Sequence, residues 1–262
     1  MFLQLSVVAE SGVRDVARIL AVFNQAGGVG KTTLTRDLGF EFATRGSRVL
    51  LIDADPQASL TEFLGVDADS LEASLFDALL HDAVPTIVRV HGLDVLPSSI
   101  DLAAADFLLA AEIGRELKLR QVVEKISASY DLIFIDAPPS LGNISINVLV
   151  AADEILIPVQ CEIKALRGTR HLFDTIDRVR TLNPKLKIAG VVPTLLDRRT
   201  RLNTESYEVL KNRLGDRLTV FAPIRRGVAF AEASAHGVPV HKHAPTYDGI
   251  ADIRALADAL EI

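Results

Sequence analysis

Seven short apolar runs, rich in Ile, Leu and Val, constrain the fold of this chain more than any other feature. The runs lack the alternation of apolar and polar residues that marks a half-exposed strand, so we expect strands buried on both faces of a sheet. Helix-length segments separate most of them. We therefore predict an α/β fold with a doubly wound, mostly parallel sheet and helices on both faces. The predicted strands are Ile19–Phe23, Val49–Asp53, Leu93–Leu96, Leu132–Asp136, Ile155–Val159, Ile188–Pro193 and Leu218–Pro223.

No low-complexity tract, internal repeat or linker divides the 262 residues, a length that suits one large domain. We predict a single domain over residues 18–262 and a short N-terminal extension over residues 1–17. No apolar stretch reaches the roughly 18 residues that a membrane-spanning helix needs, and no signal peptide is predicted. The single cysteine, Cys161, excludes an internal disulfide and a site built from several thiolates. We expect a cytoplasmic protein.

The first predicted strand is followed by a glycine-rich segment, NQAGGVGKTT over residues 24–33, which leads into a helical segment. Glycines let the backbone curl so that several N–H groups and the positive end of the helix face a phosphate. Lys31 can reach the β- and γ-phosphates, and the Thr32 hydroxyl can bind Mg²⁺. The segment has the deviant form x-G-G-x-G-K-T-T, because Gln25 stands where the usual pattern has its first glycine. The predicted nucleotide-binding residues here are Ala26, Gly27, Gly28, Val29, Gly30, Lys31, Thr32 and Thr33.

Three acidic residues end two of the predicted strands. Asp53 and Asp55 lie in VLLIDADPQ (residues 49–57), and Asp136 lies in YDLIFIDAPPSLG (residues 130–142). A carboxylate beside the phosphates can hold a metal through water or orient an attacking water. A strand-end cap would account for one such acid, whereas three beside a phosphate loop indicate a nucleotide site. No N-K-x-D guanine-reading motif is present, which favours ATP over GTP.

The charge of the chain is unevenly distributed. Residues 161–230 carry 15 Lys and Arg against 7 Asp and Glu, although the whole chain has a net charge of −6. Such asymmetry is typical of a basic face that meets a polyanion. The alternative is that helices in this region simply carry solvated arginines.

With these motifs, the chain resembles the ParA/Soj branch of the MinD/ParA deviant Walker ATPases over nearly its whole length, from about Arg18 onward. The resemblance implies a single P-loop ATPase domain that binds ATP and Mg²⁺ and forms a homodimer with ATP sandwiched at the interface. It also implies nonspecific DNA binding on the nucleoid and a ParB-like or McdB-like adaptor that stimulates hydrolysis, so that a cargo is positioned. The matching segments are NQ and GGVGKTT within residues 24–33, LIDADPQ at 51–57, FIDAPPSLG at 134–142, AADEILIPVQCE at 151–162, LDRRT at 196–200 and EASAHGVPV at 232–240.

The same resemblance implies residue roles. Lys31 would contact the phosphates and Asp55 would position the hydrolytic water. Glu162 and the residues after it would lie at the dimer interface, next to the nucleotide. The implied metal residues are Thr32, Asp53 and Asp136. The implied DNA-binding position is Arg199, and the further candidates for this surface are Arg198, Arg201, Arg225 and Arg226.

Two departures from the family pattern bear on mechanism. The family's signature lysine precedes the two glycines, and this chain has Ala26 there. In lacking this lysine the chain resembles the McdA-like members that distribute carboxysomes. We predict that Lys164 supplies the missing charge, with Arg167 as the second candidate; the alternative is that Lys164 is an ordinary exposed lysine. An arginine common in the family's DNA-binding surface is replaced by Ala229, which weakens that expectation.

Three other functions share this type of loop. A membrane-cycling MinD-like ATPase needs a basic amphipathic C-terminal helix, whereas residues 248–262 carry four acids and one base, so we expect no membrane partner. An iron–sulfur reductase needs two thiolates per protomer, which one cysteine cannot supply. A synthetase that activates a small carboxylate stays open on chemical grounds, and only the LDRRT and EASAHGVPV segments speak against it.

Overall fold

The computed structural model describes residues 17–67, 71–162 and 165–260, without the side chains of residues 165–170. Seven strands form one sheet in the order β3-β4-β2-β5-β1-β6-β7. All neighbouring strands pair in parallel except β3 and β4, which form an antiparallel edge. The predicted doubly wound, mostly parallel sheet is confirmed. The strands are β1 (Arg18–Val22), β2 (Val49–Asp53), β3 (Val88–Val90), β4 (Leu93–Leu96), β5 (Leu132–Asp136), β6 (Glu154–Gln160) and β7 (Lys187–Thr194).

Helices connect the strands and cover both faces of the sheet. Short 3-10 helices follow α4 and α5 at Leu109–Ala111, Arg115–Leu117 and Ser127–Ser129. The α-helices are α1 (Lys31–Thr44), α2 (Ser59–Phe63), α3 (Leu75–Leu80), α4 (Leu102–Leu108), α5 (Lys118–Ile126), α6 (Asn143–Ala151), α7 (Ala165–Val179), α8 (Arg201–Leu214), α9 (Val228–Ala235), α10 (Val240–His243) and α11 (Gly249–Ala259).

Two apolar cores lie on opposite faces of the sheet. Successive strand residues point to opposite faces, so Ala21 joins one core and Leu20 the other. The first core packs the sheet against α3 to α8, and the second packs it against α1, α2 and α9 to α11. Both faces are therefore covered, which is why the strands have no polar alternation.

The predicted strand Leu218–Pro223 is wrong. Its segment runs beside β7, and the Val191 N–H donates to the Thr219 carbonyl over 2.8 Å, but only isolated bridges form. The next rung of a parallel ladder would need the N–H groups of Pro193 and Pro223, and proline has none. The Ile224 N–H donates to the Pro193 carbonyl instead, one residue out of register. Two prolines facing each other thus interrupt the edge strand.

The acidic C-terminal helix packs inward. Ile250, Ile253 and Leu256 on α11 are buried in the second core, beside α1. The apolar stripe of this helix therefore faces the protein. Among the described residues, no helix is long and apolar enough to cross a membrane.

A buried ion pair, absent from the sequence predictions, ties α1 to α9 and α10. The Arg36 guanidinium donates to the Asp37 carboxylate at 2.9 Å, and both side chains are fully buried. Arg36 also donates to the Ser234 hydroxyl at 2.8 Å, and Asp37 accepts from the Val240 N–H at 2.9 Å. Each charge therefore has polar partners that offset its removal from water.

We expect Arg36→Ala to destabilise the protein by about 3–5 kcal/mol, because it leaves the Asp37 carboxylate buried without its counter-ion. Urea denaturation measures the change. Arg48→Ala is the matched control, since Arg48 pairs with Asp131 on an exposed surface, and a much smaller loss is expected there. Equal losses in the two variants would contradict the assignment of a structural role to the buried pair.

Candidate active site

The glycine-rich loop lies between β1 and α1 at the carboxyl edge of the sheet. Gly28 and Gly30 have φ angles of 70° and 87°, a left-handed conformation that residues with a Cβ rarely adopt. Two side chains hold the loop in place: Asn24 accepts from the Ala26 N–H at 3.0 Å, and the Thr194 hydroxyl donates to the Val29 carbonyl at 2.8 Å. The curled backbone and the start of α1 form the concave surface that an anionic ligand needs.

Lys31, the first residue of α1, is a buried amine among carboxylates. Its Nζ donates to the Ala26 carbonyl at 3.0 Å, so the side chain folds back along the loop. Burial lowers the pKa of Lys31, and the negative charges of Asp136 and Asp55 oppose that shift. The loop, the amine and two of the predicted acids are therefore within electrostatic reach of one another.

Asp53 and Asp136 are register partners on the adjacent strands β2 and β5. The Asp53 carboxylate accepts three hydrogen bonds, from the Thr61 N–H and hydroxyl at 2.8 Å each and from the Asp55 N–H at 3.1 Å. Burial raises the pKa of Asp53 to about 6, although these hydrogen bonds oppose the rise. Asp53 therefore anchors the start of α2, and a role beside a metal stays a prediction.

Asp136 is fully buried, and neither of its oxygens has a hydrogen-bond partner among the described residues. Burial, and next the charge of Asp53, raises its pKa well above the usual range, while the nearby Thr32 hydroxyl and Lys31 oppose the rise. An unpaired buried carboxylate beside a hydroxyl fits a divalent cation. No group of three or more His, Cys, Asp or Glu side chains suited to a metal occurs in the described parts of the chain.

Asp55 begins a turn that leads from β2 to α2. Its carboxylate accepts from the Gln57 N–H at 3.0 Å, and its carbonyl accepts from the Ala58 N–H at 2.8 Å. Ala58 has a φ of 52°, a strained value for a residue with a Cβ. The turn therefore holds Asp55 at the edge of the site, and its predicted hydrolytic role remains a prediction.

A largely apolar cavity of about 510 Å³ opens beside the loop. Leu195, at the end of β7, contributes to its wall with a left-handed backbone of φ 54°. A cavity of this size and lining suits a drug-sized organic group. The sequence did not reveal it, because its wall comes from distant parts of the chain, including Thr33, Leu34, Phe63, Ile224 and Phe230.

Several residues predicted to bind nucleotide or to lie at the dimer interface are at the surface of the structure. Glu162, just after β6, is exposed and accepts from the Gln160 amide at 2.7 Å. Ala26, Gly27 and Gly28 are also exposed, so this part of the loop is accessible. Lys164 lies outside the described residues, and its predicted role is untested.

The arginines predicted to contact DNA come together at one rim. The bridge between Leu196 and Arg225 aligns the segment after β7 with the segment before α9. Three of the five are engaged in ion pairs: Arg199 with Asp197 at 2.9 Å, Arg201 with Glu205 at 2.6 Å, and Arg225 with Asp252 at 2.7 Å. Arg198 and Arg226 are exposed, and neither side chain has a hydrogen bond or ion pair among the described residues. The Asp197 pKa is lowered mainly by hydrogen bonds from Arg199 and also by the nearby charge of Arg226. The basic character of this rim is therefore weaker than the charge count suggested.

We expect Asp136→Asn to stabilise the ligand-free protein at pH 8 by about 1 kcal/mol, a rise of about 2–4 °C in Tm. The raised pKa means that the folded state favours the protonated carboxyl. Protonation of Asp136 therefore stabilises the folded state. This stabilisation is full below the unfolded-state pKa of 3.8, and it is lost as the pH rises through the folded-state pKa. The gain from Asn, which resembles the protonated form, should therefore shrink towards pH 5. Calorimetry across this pH range measures it.

Asp53→Asn is the control, since an amide cannot accept all three hydrogen bonds that the Asp53 carboxylate receives. This variant should be less stable than the parent protein. A loss of stability in Asp136→Asn at pH 8 would contradict the assignment of an unpaired buried charge.

Comparison with known proteins agrees with this geometry. The family model described as AAA domain matches residues 17–188. The sporulation initiation inhibitor protein Soj of Bacillus subtilis is 42% identical over 239 residues, which cover 89% of this chain and 94% of Soj. The chromosome partitioning protein ParA of Caulobacter vibrioides is 42% identical over 230 residues, covering 85% of this chain and 86% of ParA.

Two solved structures extend the comparison. Cobyrinic acid a,c-diamide synthase from Mycobacterium smegmatis, with a bound ATP analogue and magnesium, has a TM-score of 0.84 and 39% identity, covering 94% of each chain. Apo McdA from Cyanothece has a TM-score of 0.80 and 25% identity, covering 92% of this chain and 99% of McdA. Sequence, fold and loop geometry agree, and the chain belongs to the ParA/MinD family of Walker-type P-loop ATPases.

Proposed function

We propose that this protein is an ATP-dependent dimerising switch that hydrolyses ATP and positions or segregates a cargo. The observation that carries the proposal is the buried cluster of Lys31, Asp53 and Asp136 directly beneath the glycine-rich loop. Catalysis of phosphoryl transfer depends mainly on positioning and on charge stabilisation, and this cluster supplies fixed charges at the required place. The relatives named for chromosome partitioning, and the ATP analogue and magnesium in the related synthase structure, support the proposal.

The residues of the cluster, and those of the loop and turn around it, have proposed parts in the reaction. The N–H groups of the loop and Lys31 hold the β- and γ-phosphates, and Asp55 accepts a hydrogen bond from the attacking water and orients it. Thr32 and Asp136 would hold Mg²⁺, with Asp53 supporting them by fixing the turn after β2. When bound, Mg²⁺ supplies positive charge to the phosphate oxygens. Thr33 and the cavity beside it would receive the adenosine half of the nucleotide.

We expect ATP with Mg²⁺, but not ADP, to dimerise the protein, because only the triphosphate completes the contacts between two facing loops. Asp55→Ala should bind ATP, remain dimeric and hydrolyse ATP at least about 10²-fold more slowly, since it lacks the group that orients water. Light scattering and phosphate release measure the two properties. A monomer under saturating ATP would overturn the proposed switch.

We also propose that the dimer binds DNA without sequence preference, through the rim formed after β7 and before α9. Phosphate contacts release counter-ions, so binding should weaken steeply with salt. Because Arg199, Arg201 and Arg225 are engaged by acids, Arg198 and Arg226 are the side chains best able to contact phosphates.

The double variant Arg198→Ala/Arg226→Ala should weaken DNA binding equally for unrelated sequences and should reduce the salt slope by about 2, one for each lost contact. Fluorescence anisotropy at several salt concentrations, with ATP present, measures both. Arg201→Ala is the control, since Arg201 pairs with Glu205 and its loss should matter less. If the double variant binds as the parent does, the DNA surface lies elsewhere.

We propose a ParB-like or McdB-like adaptor, rather than a membrane, as the stimulating partner, and a nucleoid location. The relatives support chromosome partitioning, and the likeness to McdA together with Ala26 supports a protein cargo such as the carboxysome. Lys164 remains our proposed source of the charge missing at Ala26.

A small-molecule synthetase on the same fold is the second candidate, since a similar solved structure is named as a diamide synthase. In that case a small carboxylate substrate would enter at the carboxyl edge, beside the phosphates. The two functions differ in what stimulates ATP turnover. Steady-state ATPase assays with DNA, and separately with polycarboxylate substrates and an amide donor, distinguish them.

A further inference from the structure

An exposed apolar surface surrounds the start of α6. The described residues include eleven large apolar side chains that are exposed, and six of them fall between residues 100 and 141. Ile113 is 98% exposed and Phe107 is 82% exposed. The others in this group are Ile100, Leu108, Leu117 and Leu141. We call these six side chains the α6 collar. Such a concentration of exposed apolar side chains is typical of a surface that binds another protein.

The α6 collar lies on the same edge of the sheet as the phosphate loop. Ile100 follows the carboxyl end of β4, and Leu141 follows the carboxyl end of β5. The sheet order β4-β2-β5-β1 puts these ends within three strand spacings of the loop, about 14 Å. Any partner that closes over the phosphate loop therefore passes close to the collar.

Hydrogen bonds fix the collar to the loop that follows Asp136. The Asp106 carboxylate on α4 accepts from the Ile144 N–H at 2.9 Å, and the Asp106 carbonyl accepts from the Asn143 amide at 2.7 Å. Asn147 on α6 donates to the Arg115 carbonyl at 2.7 Å. Residues 106–115 are thereby held on the first turns of α6, so the collar and the Asp136 loop form one connected unit.

We propose that the α6 collar is a contact surface for a second copy of this chain, an inference that rests on the proposed ATP-dependent dimer. Two copies whose phosphate loops face each other bring the same edge of each sheet together. Each collar then meets the partner copy at the border of the nucleotide site. Phe107 and Ile113, the most exposed members, are the expected anchors, because they would lose the most apolar surface to water on contact.

Charge supports a second copy as the occupant. A two-fold symmetric contact is formed by the same patch of both copies, so an excess of one sign of charge in that patch would repel. The four charged side chains within residues 107–118 are all paired with one another. Lys118 lies 3.6 Å from Glu112, and Arg115 lies 3.1 Å from Glu116. This segment, which carries Phe107 and Ile113, is therefore locally neutral, which suits contact with a second copy. The acids Asp101 and Asp106 lie just before it, and the Asp106 carboxylate accepts from the Ile144 N–H.

The test uses the full chain in the Asp55→Ala background, which is expected to retain the ATP-bound dimer. We expect Phe107→Glu and Ile113→Glu each to weaken dimerisation with ATP and Mg²⁺ at least about 10-fold, measured by light scattering over a concentration series. Leu182→Glu is the matched control. It places the same charge at a 46% exposed leucine near the start of β7, on the opposite edge of the sheet. Binding of a fluorescent ATP analogue to the monomer should be unchanged in all three.

A second measurement does not depend on destabilising the contact. Cys161 is buried, so a thiol introduced by Ile113→Cys is the one that a maleimide can reach. Labelling at this position should slow when ATP and Mg²⁺ are added, whereas labelling of Leu182→Cys should not.

The outcomes separate this inference from the proposed function. If the Asp55→Ala parent remains monomeric with ATP, the proposed switch fails. If the parent dimerises but both collar variants dimerise equally well, and Ile113→Cys labels at the same rate with and without ATP, the collar is not the contact surface. Weaker dimerisation with unchanged nucleotide binding, together with protection of Ile113→Cys, supports it.

Discussion

The burial of two aspartates in register beneath the phosphate loop is the constraint on which the rest of this site depends. Parallel pairing of β2 with β5 places Asp53 opposite Asp136, and the pairing of β5 with β1 brings Lys31 within electrostatic reach of Asp136. Two like charges close together in a low dielectric raise the free energy of the folded state, and the two carboxylates differ in how many hydrogen bonds stabilise them. Asp53 receives three hydrogen bonds, whereas Asp136 receives none from the described residues. The unpaired carboxyl of Asp136 costs stability when it is charged, and we propose that a bound cation would offset this cost.

Sequence reasoning predicted the layout of the site because apolar runs and strand ends are local signals. Six of the seven predicted strands are present, and the acids and the loop lie at their carboxyl ends. The seventh strand failed, because facing prolines cannot form the rung hydrogen bonds, and this pairing is visible only once Pro193 and Pro223 are adjacent. Strand β3 was missed, since three residues of mixed polarity give no period.

Interactions between residues distant in sequence could not be predicted, because they are visible only once the chain has folded. In the sequence, Arg36 and Asp37 have nothing that distinguishes them from exposed polar residues of a helix. In the structure α9 and α10 cover them, and Ser234 and Val240 are their hydrogen-bond partners. At the basic rim, the sequence overestimated the positive charge of the surface. A count of charges along residues 161–230 indicated a strong positive face, but Asp197 and Asp252 neutralise two of its arginines locally. Charge counts measure composition, whereas the field at a surface depends on which charges are paired.

Each of the two buried aspartates is also linked, through a series of contacts, to one of the surfaces that we propose bind a partner. Asp53 holds Thr61 on α2, and the Arg36 guanidinium lies 5.9 Å from the ring of Phe63, two residues further on. From there, Arg36 reaches α9, which follows the basic rim. The loop after Asp136 continues into α6, and hydrogen bonds connect α6 to the collar. A ligand shifts a conformation only through differential contacts in two states, and a cation and phosphates bound in the proposed site would change the charge at these aspartates. The DNA-binding and dimer surfaces that we propose would therefore respond to one event at one pair of strand ends.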